Sequence, residues 1–447
     1  MNKIIGRLFL GAIFLSAPSF AQKNITAQFD VTRRAKNLSD SALLDLVQKQ
    51  TFRYFWDFAH PVSGLARERS NEAYGYGNEV VTTGGTGFGI MSIIVATERK
   101  WIGRDTAVKL LLKMVQFLSK ADAYHGVFPH WLNGTSGKTI LFSKKDDGAD
   151  LVETSYLMQG LLCARQYFDG ENNIERDLRN RINCMWNDIE WNWFTKGGEE
   201  VLYWHWSPNN GWAMNFPVRG FNECLIVYVL AASGEKYPVT NAVYHRGWAQ
   251  SNFFKNGKKF YGYTLPLGFD YGGPLFFSHY SFMGLNPTGL KDQYADYWEQ
   301  NKNHTLINRA YCIDNPKAFK GYSENCWGLT ASDTYNGYNA YSPTNDEGTI
   351  SPTAALSAFP YTPEYSMQAL KHFYYDLGDK IWSEYGFVDA FNESKNWYAK
   401  SHLAIDEGPI IVMIENYRSG LLWKLFMSCP EIKKGLKKLE FEHPVLK

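Results

Sequence analysis

The sequence predicts an all-α chain folded as an (α/α)6 toroid, six inner and six outer helices with a few short strands in the loops. The first observation behind this is an alternation of two kinds of segment. Residues 105–120, 174–191, 290–310 and 363–382 carry apolar side chains along one side and charges along the other, as helices with one wet face do. Between them lie 86–96, 151–163, 223–232, 273–283, 350–359 and 410–427, apolar nearly all round and so expected to be buried on every side. The second observation is that three acidic segments stand directly in front of such apolar runs: Asp146-Asp147-Gly148-Ala149-Asp150-Leu151-Val152-Glu153, Asn222-Glu223-Cys224 and Asp406-Glu407-Gly408-Pro409. The third is that the pairs share no sequence period, which disfavours a solenoid.

Each element has its own reason. The opening helix is expected over 39–58, where Leu44, Val47, Thr51, Phe55 and Phe58 recur at helical spacing. The glycine-rich run 82–89 leads the first inner segment. It lacks the Lys-Ser/Thr ending of a phosphate loop and no βαβ pattern surrounds it, so close packing of an inner helix is expected there. Asp150 with Glu153 fits a capping box at the head of 151–163. A weak outer helix is expected near 241–254, and Gly408-Pro409 reads as a helix start with proline in the first turn. With these, about twelve helices pair into six outer and inner partners.

Residues 1–21 have the pattern of a secretory signal: Lys3 and Arg7, an apolar run from Leu8 to Leu15, and Ser19-Phe20-Ala21 as a cleavage site. Residues 22–38 are then an N-terminal extension and 39–447 a single (α/α)6 domain, for no Pro, Ser or Gly-rich linker divides the chain after residue 38. A periplasmic or secreted protein is expected. No cysteine follows the cleavage site to take a lipid, and no other segment has the ~18 uninterrupted apolar residues of a membrane span. The net charge of +1, without a basic cluster, argues against nucleic acid or an anionic membrane as partner. Six cysteines without a C-x-x-C pair read as buried thiols, with a Cys312–Cys326 bridge left open. No metal is expected, because His130, His205, His279 and His402 lack ligand spacing to a second His or Cys.

The acids have a structural reading and a chemical one. Carboxylates near helix N-termini are favoured by about 0.3–1 kcal/mol whatever the function. Yet buried helices whose N-termini share one rim would bring these acids together, and crowded carboxylates raise one another's pKa, as a general acid requires. Aromatic content is the clearest compositional deviation, at 16% with 15 Trp. Six of those tryptophans fall between Trp186 and Trp212, where 200–206 reads as a strand entering the turn 207–211. This hairpin packs outside the barrel or supplies stacking platforms for sugars, such as Trp206. The loops around His130-Trp131, Glu324 to Asp333 (including Trp327) and Tyr335 to Tyr341 mix aromatic rings with amide, hydroxyl and carboxylate groups, the mixture of a saccharide cleft.

Thr83-Gly84-Gly85-Thr86-Gly87, the run from Glu153 to Leu162, Glu-Asn-Cys-Trp-Gly-Leu-Thr-Ala-Ser-Asp at 324–333, and Asp406-Glu407-Gly408-Pro409 together resemble the bacterial glucoamylase-like proteins, and more narrowly glycoside hydrolase family 144, the β-1,2-glucanases. The resemblance spans nearly all of the chain after its signal. It implies an (α/α)6 barrel, hydrolysis of β-1,2-glucan to sophorose or longer sophorooligosaccharides, and inversion. It also marks Glu223 as the general acid and the Asp406 region as the base side, with Glu407 the adjacent alternative. Asp146, Asp150 and Glu153 are then acids of the same cleft, Asp150 and Glu153 further catalytic candidates that hold sugar hydroxyls or complete a proton path, and Asp146, Asp147, Glu407, His130, Trp131, Trp206, Glu324, Trp327 and Asp333 candidate substrate contacts.

The chemistry is consistent with that. Inversion needs one protonated carboxyl and one carboxylate about 6.5–9.5 Å apart, which acids on different inner helices can provide and which Asp150 and Glu153, on one helix turn, do not by themselves. No cofactor is required. Two rivals stay open: another enzyme of the same fold, such as a glucoamylase-type α-glucosidase or a lyase, and a non-catalytic glycan-binding protein. Activity on β-1,2-glucan against starch separates the enzymes. Against the binding protein stands the cost of crowding carboxylates around a neutral sugar.

Overall fold

The computed structural model describes residues 34–71 and 77–447, so the expected signal peptide and most of the extension lie outside the described residues. The helices in chain order are α1 (Asp40–Trp56), α2 (Thr83–Glu98), α3 (Arg104–Leu118), α4 (Leu151–Tyr167), α5 (Asn173–Asp188), α6 (Leu225–Ser233), α7 (Tyr297–Asp314), α8 (Pro352–Leu356), α9 (Pro363–Lys371), α10 (Gly378–Ile381), α11 (Ala404–Ser419), α12 (Leu421–Ser428) and α13 (Pro430–Lys438). The toroid is an (α/α)6 fold: α2, α4, α6, the turns at 275–283, α8 and α11 form the inner ring, with the more amphipathic segments outside. In α2 every residue from Thr83 to Thr97 is buried, and in α6 every residue is, as the all-round apolar pattern requires. Among the described residues no helix is long and apolar enough to cross a membrane.

Inner helices touch almost backbone to backbone where glycines allow it. A Cβ at Gly87 would collide with the backbone of Tyr156 and Leu157, and one at Gly160 with Gly87 itself. The glycine-rich run is thus a packing device between α2 and α4. A Cβ at Gly84 would strike the Glu153 carboxyl, so glycine there leaves room for a carboxylate against the start of α2.

Several elements differ from expectation for local reasons. The inner segment 273–283 is not an α-helix but the short 3-10 turns Leu275–Ser278 and Ser281–Met283, preceded by Gly272 and Gly273 with φ of +96° and +78° and by Pro274. The run 350–359 is helical only over Pro352–Leu356, and 410–427 is two helices parted at Gly420, whose φ is +68°. The weak helix near 241–254 contains the π-turn Val243–Trp248. Pro409 lies inside α11, which begins at Ala404, so Asp406 and Glu407 belong to its first turn instead of preceding it. All six cysteines are free, and Cys312 and Cys326 are buried without a bridge.

Short strand pairs stand in front of the inner helices. Residues 80–82 pair with 131–133, placing Thr82 opposite Trp131, and 149–150 pair with 205–206, placing Asp150 opposite His205. A hairpin of 331–334 with 337–340 reaches over the same rim.

Candidate active site

The N-terminal ends of the inner elements converge on one cavity of about 180 Å³. Thr82 comes from the start of α2, Glu153 from the first turn of α4, Glu223 from the residue pair before α6, Tyr280 from the 275–283 turns, Tyr338 from the 331–340 hairpin, and Leu403 with Ile405 from the start of α11. His130, Trp131, Phe142 and Trp204 close the aromatic wall. The convergence anticipated from three acidic segments therefore holds for the helix ends, although only some of the acids themselves face the cavity.

Glu223 does. Cys224 separates it from α6, and its backbone carbonyl accepts a hydrogen bond from the Ser281 hydroxyl, which ties the loop to the 275–283 turns. Burial raises its pKa, the charge on Glu153 adds to that, and a bond from its own backbone N–H only partly opposes them, leaving it at about 7. A carboxyl that still holds its proton near neutrality, facing an open cavity, has the property of a general acid.

Glu153 is the second carboxyl at the cavity. Its Oε2 accepts from the Gly84 N–H at 2.7 Å and the Thr82 hydroxyl at 3.4 Å, so it fastens α4 to the start of α2. The expected capping box is half made: Asp150 Oδ1 accepts from the N–H groups of Val152 and Glu153 at 3.0 and 2.9 Å, while Glu153 points to α2 instead of back. Asp150 Oδ2 takes His130 Nδ1 at 3.0 Å, and His205 Nε2 lies 3.2 Å from Asp146 Oδ2 and 3.7 Å from Asp150 Oδ2. Burial alone would lower the His130 pKa, but Glu153, Asp150 and Asp146 lift it to about 9. Burial would likewise raise Asp150, yet the His130 bond and the charges of His205 and His130 hold it below the usual range. His130, Asp146 and Asp150 each place one ligand atom within 4.8 Å of the others, close enough to hold a cation.

The third group of acids sits behind the cavity wall. Asp406 is 2% exposed and does not line the cavity; Tyr280, which does, donates its hydroxyl to Asp406 Oδ1 at 3.4 Å. Asp389 is buried as well, accepts from the Asp333 N–H at 2.6 Å, and interacts with the Asp406 carboxyl. Asp389 Oδ1 and Asp406 Oδ2 meet no donor, and burial among other acids raises both carboxyls. Burial pushes Asp406 up to about 8, with Glu407 and Asp333 adding to it and the Asp389 and Tyr280 bonds opposing it. Asp389 is raised well above the usual carboxylate range, by burial first and then by Asp406. Glu407 is 1% exposed, raised by burial, and its Oε2 meets no donor. Asp333 is tied down instead, with Arg69 Nη1 at 2.9 and 3.0 Å from its two oxygens and the Ser401 hydroxyl at 2.5 Å.

Other expected contacts fall elsewhere. Asp147 accepts from Asn209 at 2.7 Å and serves the 207–211 turn, not the cavity. Glu324 is on the exposed outer surface. Trp206 packs on His125 and Trp193 at 5.1 and 6.1 Å, and Trp204 of the same strand segment is the ring that reaches the cavity. Trp327 is 0% exposed inside the smaller of the two apolar cores, so its place among substrate contacts is corrected: it is a core ring. Trp327→Ala should therefore destabilise the fold by about 3–5 kcal/mol, read as a large drop in melting temperature. An unchanged melting temperature with weakened sugar binding would return it to the cleft.

Sequence reasoning missed Glu68, Arg69, Tyr280, Phe142 and Asp389. The run Arg67-Glu68-Arg69 carried a signal, charges close ahead of the glycine-rich inner helix. Glu68 and Arg69 both line the cavity and form an ion pair at 2.8 Å. Burial raises the Glu68 pKa in spite of Arg69.

Residues 215–430 match the family described as "Putative glucoamylase". An endo-β-1,2-glucanase from Chitinophaga pinensis, solved with sophorotriose and glucose, is 56% identical with a TM-score of 0.89, over 92% of this chain and 100% of that one. This chain belongs to glycoside hydrolase family 144. The family 144 chain is also 61% identical to a Bacteroides uniformis protein of the same description as the matching family, with a TM-score of 0.90 over 92% of this chain and 100% of that one. It is 45% identical over 424 residues to the exo β-1,2-glucooligosaccharide sophorohydrolase (non-reducing end) of Parabacteroides distasonis, covering 90% of this chain. It spans 58% of the length of that relative.

Proposed function

We propose that this family 144 chain hydrolyses β-1,2-glucan to sophorose or sophorooligosaccharides with inversion, Glu223 acting as general acid and Asp406 as the base side. The observation that carries it is Glu223, a carboxyl facing the cavity and held near pKa 7 by burial. Protonation of the leaving oxygen needs such a group, and binding a neutral sugar does not. The sugar-stacking rings Trp131, Phe142 and Trp204 stand beside it. The base must collect a proton from water at the anomeric centre. Tyr280 lines the cavity and donates to Asp406, which makes it the connection between that water and the Asp389–Asp406 pair. Residues 1–21 support action in the periplasm or outside the cell.

The relatives' substrates support the choice of glucan, and the two named enzymes are endo-acting and exo-acting respectively. The test is reducing-sugar release from linear β-1,2-glucan and from starch. Release from the first alone is expected. Release from starch alone would favour the glucoamylase-type reading, and release from neither would leave a binding protein. The products over time separate the two modes, a ladder for endo action and disaccharide from the start for exo action.

A further inference from the structure

We propose that the surface cleft beside Trp193 and Trp212 is a second carbohydrate site, which holds a stretch of the neutral β-1,2-linked polymer outside the catalytic cavity. The ligand class rests on the functional reading above. The cleft itself comes from the tryptophan-rich segment, which the catalytic cavity does not use up. Of its six rings, Trp186 and Trp191 are buried in the core and Trp204 lines the cavity. Trp193 and Trp212 line a separate cleft of about 710 Å³ with Asn192, Lys196 and Tyr237, within the ~300–1,000 Å³ range of small-molecule sites.

Trp193 is 38% exposed. His125 stacks on it at 3.8 Å and 14°, so one face is covered and the exposed area belongs to the other face and the ring edge. Trp212 lies 6.4 Å away at an interplanar angle of 31°, a second ring only moderately inclined to the first. Gly197 and Gly198 form an open wall, with φ of +88° and +101° and nothing within 4 Å of where a Cβ would stand. A sugar placed on such rings covers apolar surface with its C–H face and leaves its hydroxyls to the rim.

The two charged residues of the cleft are already engaged within the protein. Glu190 holds His125 at 2.9 Å, and Lys196 donates to Asn215 at 2.7 Å with its ammonium 4.8 Å above the Tyr203 ring. Glu190 and Lys196 carry opposite charges, so the cleft has no net charge to select an ionic ligand, and a neutral polyol fits. The cleft is near the cavity: Trp204 in the cavity wall and Trp206, whose ring centre is 6.1 Å from that of Trp193, are two residues apart, so one polymer chain can reach both.

The test uses Trp193→Ala, Trp212→Ala and Asn192→Arg in the whole protein. Asn192→Arg sits at an exposed position and places bulk and charge at the cleft without disturbing a core ring. It therefore keeps the test valid should Trp212→Ala fail to fold. Each is expected to raise KM for long linear β-1,2-glucan by about 3- to 10-fold and to reduce retardation in gels containing that polymer. Rates on the shortest cleaved oligosaccharide should stay within about twofold. A parent that cleaves the polymer beside folded variants indistinguishable from it in KM and gel retardation overturns the second site. Equal losses on short and long substrates overturn it too, by making the cleft part of the catalytic cavity. A parent inactive on β-1,2-glucan overturns the functional reading and, with it, the ligand named here.

Discussion

Glu223→Gln should leave the fold intact and lower turnover on β-1,2-glucan by at least the ~10²–10⁴-fold that general acid catalysis supplies. The residue lies before α6 instead of within it, and it supports its neighbours through its backbone carbonyl, which glutamine retains. Burial holds the parent carboxyl at about 7, so activity should fall as pH rises through that value, because the proton the leaving oxygen needs is then lost. The residual activity of the variant should lack that decline. Activity within a few-fold of the parent, or an unchanged alkaline limb in the variant, would show that Glu223 is a structural residue of the loop.

Asp406→Asn should abolish hydrolysis while substrate still binds, since an amide keeps the shape but takes no proton at working pH. The structure sharpens the contrast with its neighbour. Asp406 is connected to the cavity through Tyr280, whereas Glu407, one residue on, is sealed into the core with its Oε2 unpartnered. Glu407→Gln should therefore cost stability of about 0.5–2 kcal/mol with a smaller loss of rate. Tyr280→Phe, which interrupts the connection without moving the acid, should share part of the Asp406→Asn defect. A dead Glu407→Gln beside an active Asp406→Asn would move the base by one residue. If both remained active, the base would come from Glu153 or Glu68, the other carboxyls at the cavity.

What could be read in the sequence was local. Asp150 announces a helix start because capping is a contact between residues two and three apart, and the acid found there does cap α4. All-round apolar runs announce burial, and the inner ring is buried. They do not specify the backbone, which is why 273–283 reads as a helix although its glycines and proline produce 3-10 turns. The missed half of the site is assembled over long separations. Arg69 meets Asp333 264 residues away, and Asp389 meets Asp406 only once its loop packs on the first turn of α11. Trp327 was misplaced for a related reason: polar neighbours in sequence made its segment resemble a cleft, while the chain turns that ring inward.

The protons held by the buried acids at the cavity end have a consequence for the fold as a whole. Carboxyls whose pKa rises on burial bind protons more tightly folded than unfolded, so folding takes protons up and stability declines as pH rises. For Asp406 that window runs from its ordinary 3.8 to about 8, and for Glu223 from 4.5 to about 7. His130 acts in the same direction, contributing below 6.5 and ceasing to contribute as pH passes about 9. The cavity end of the toroid is thus also its alkali-sensitive end: Glu223, His130 and Asp406 are the groups the folded chain holds least comfortably once protons become scarce.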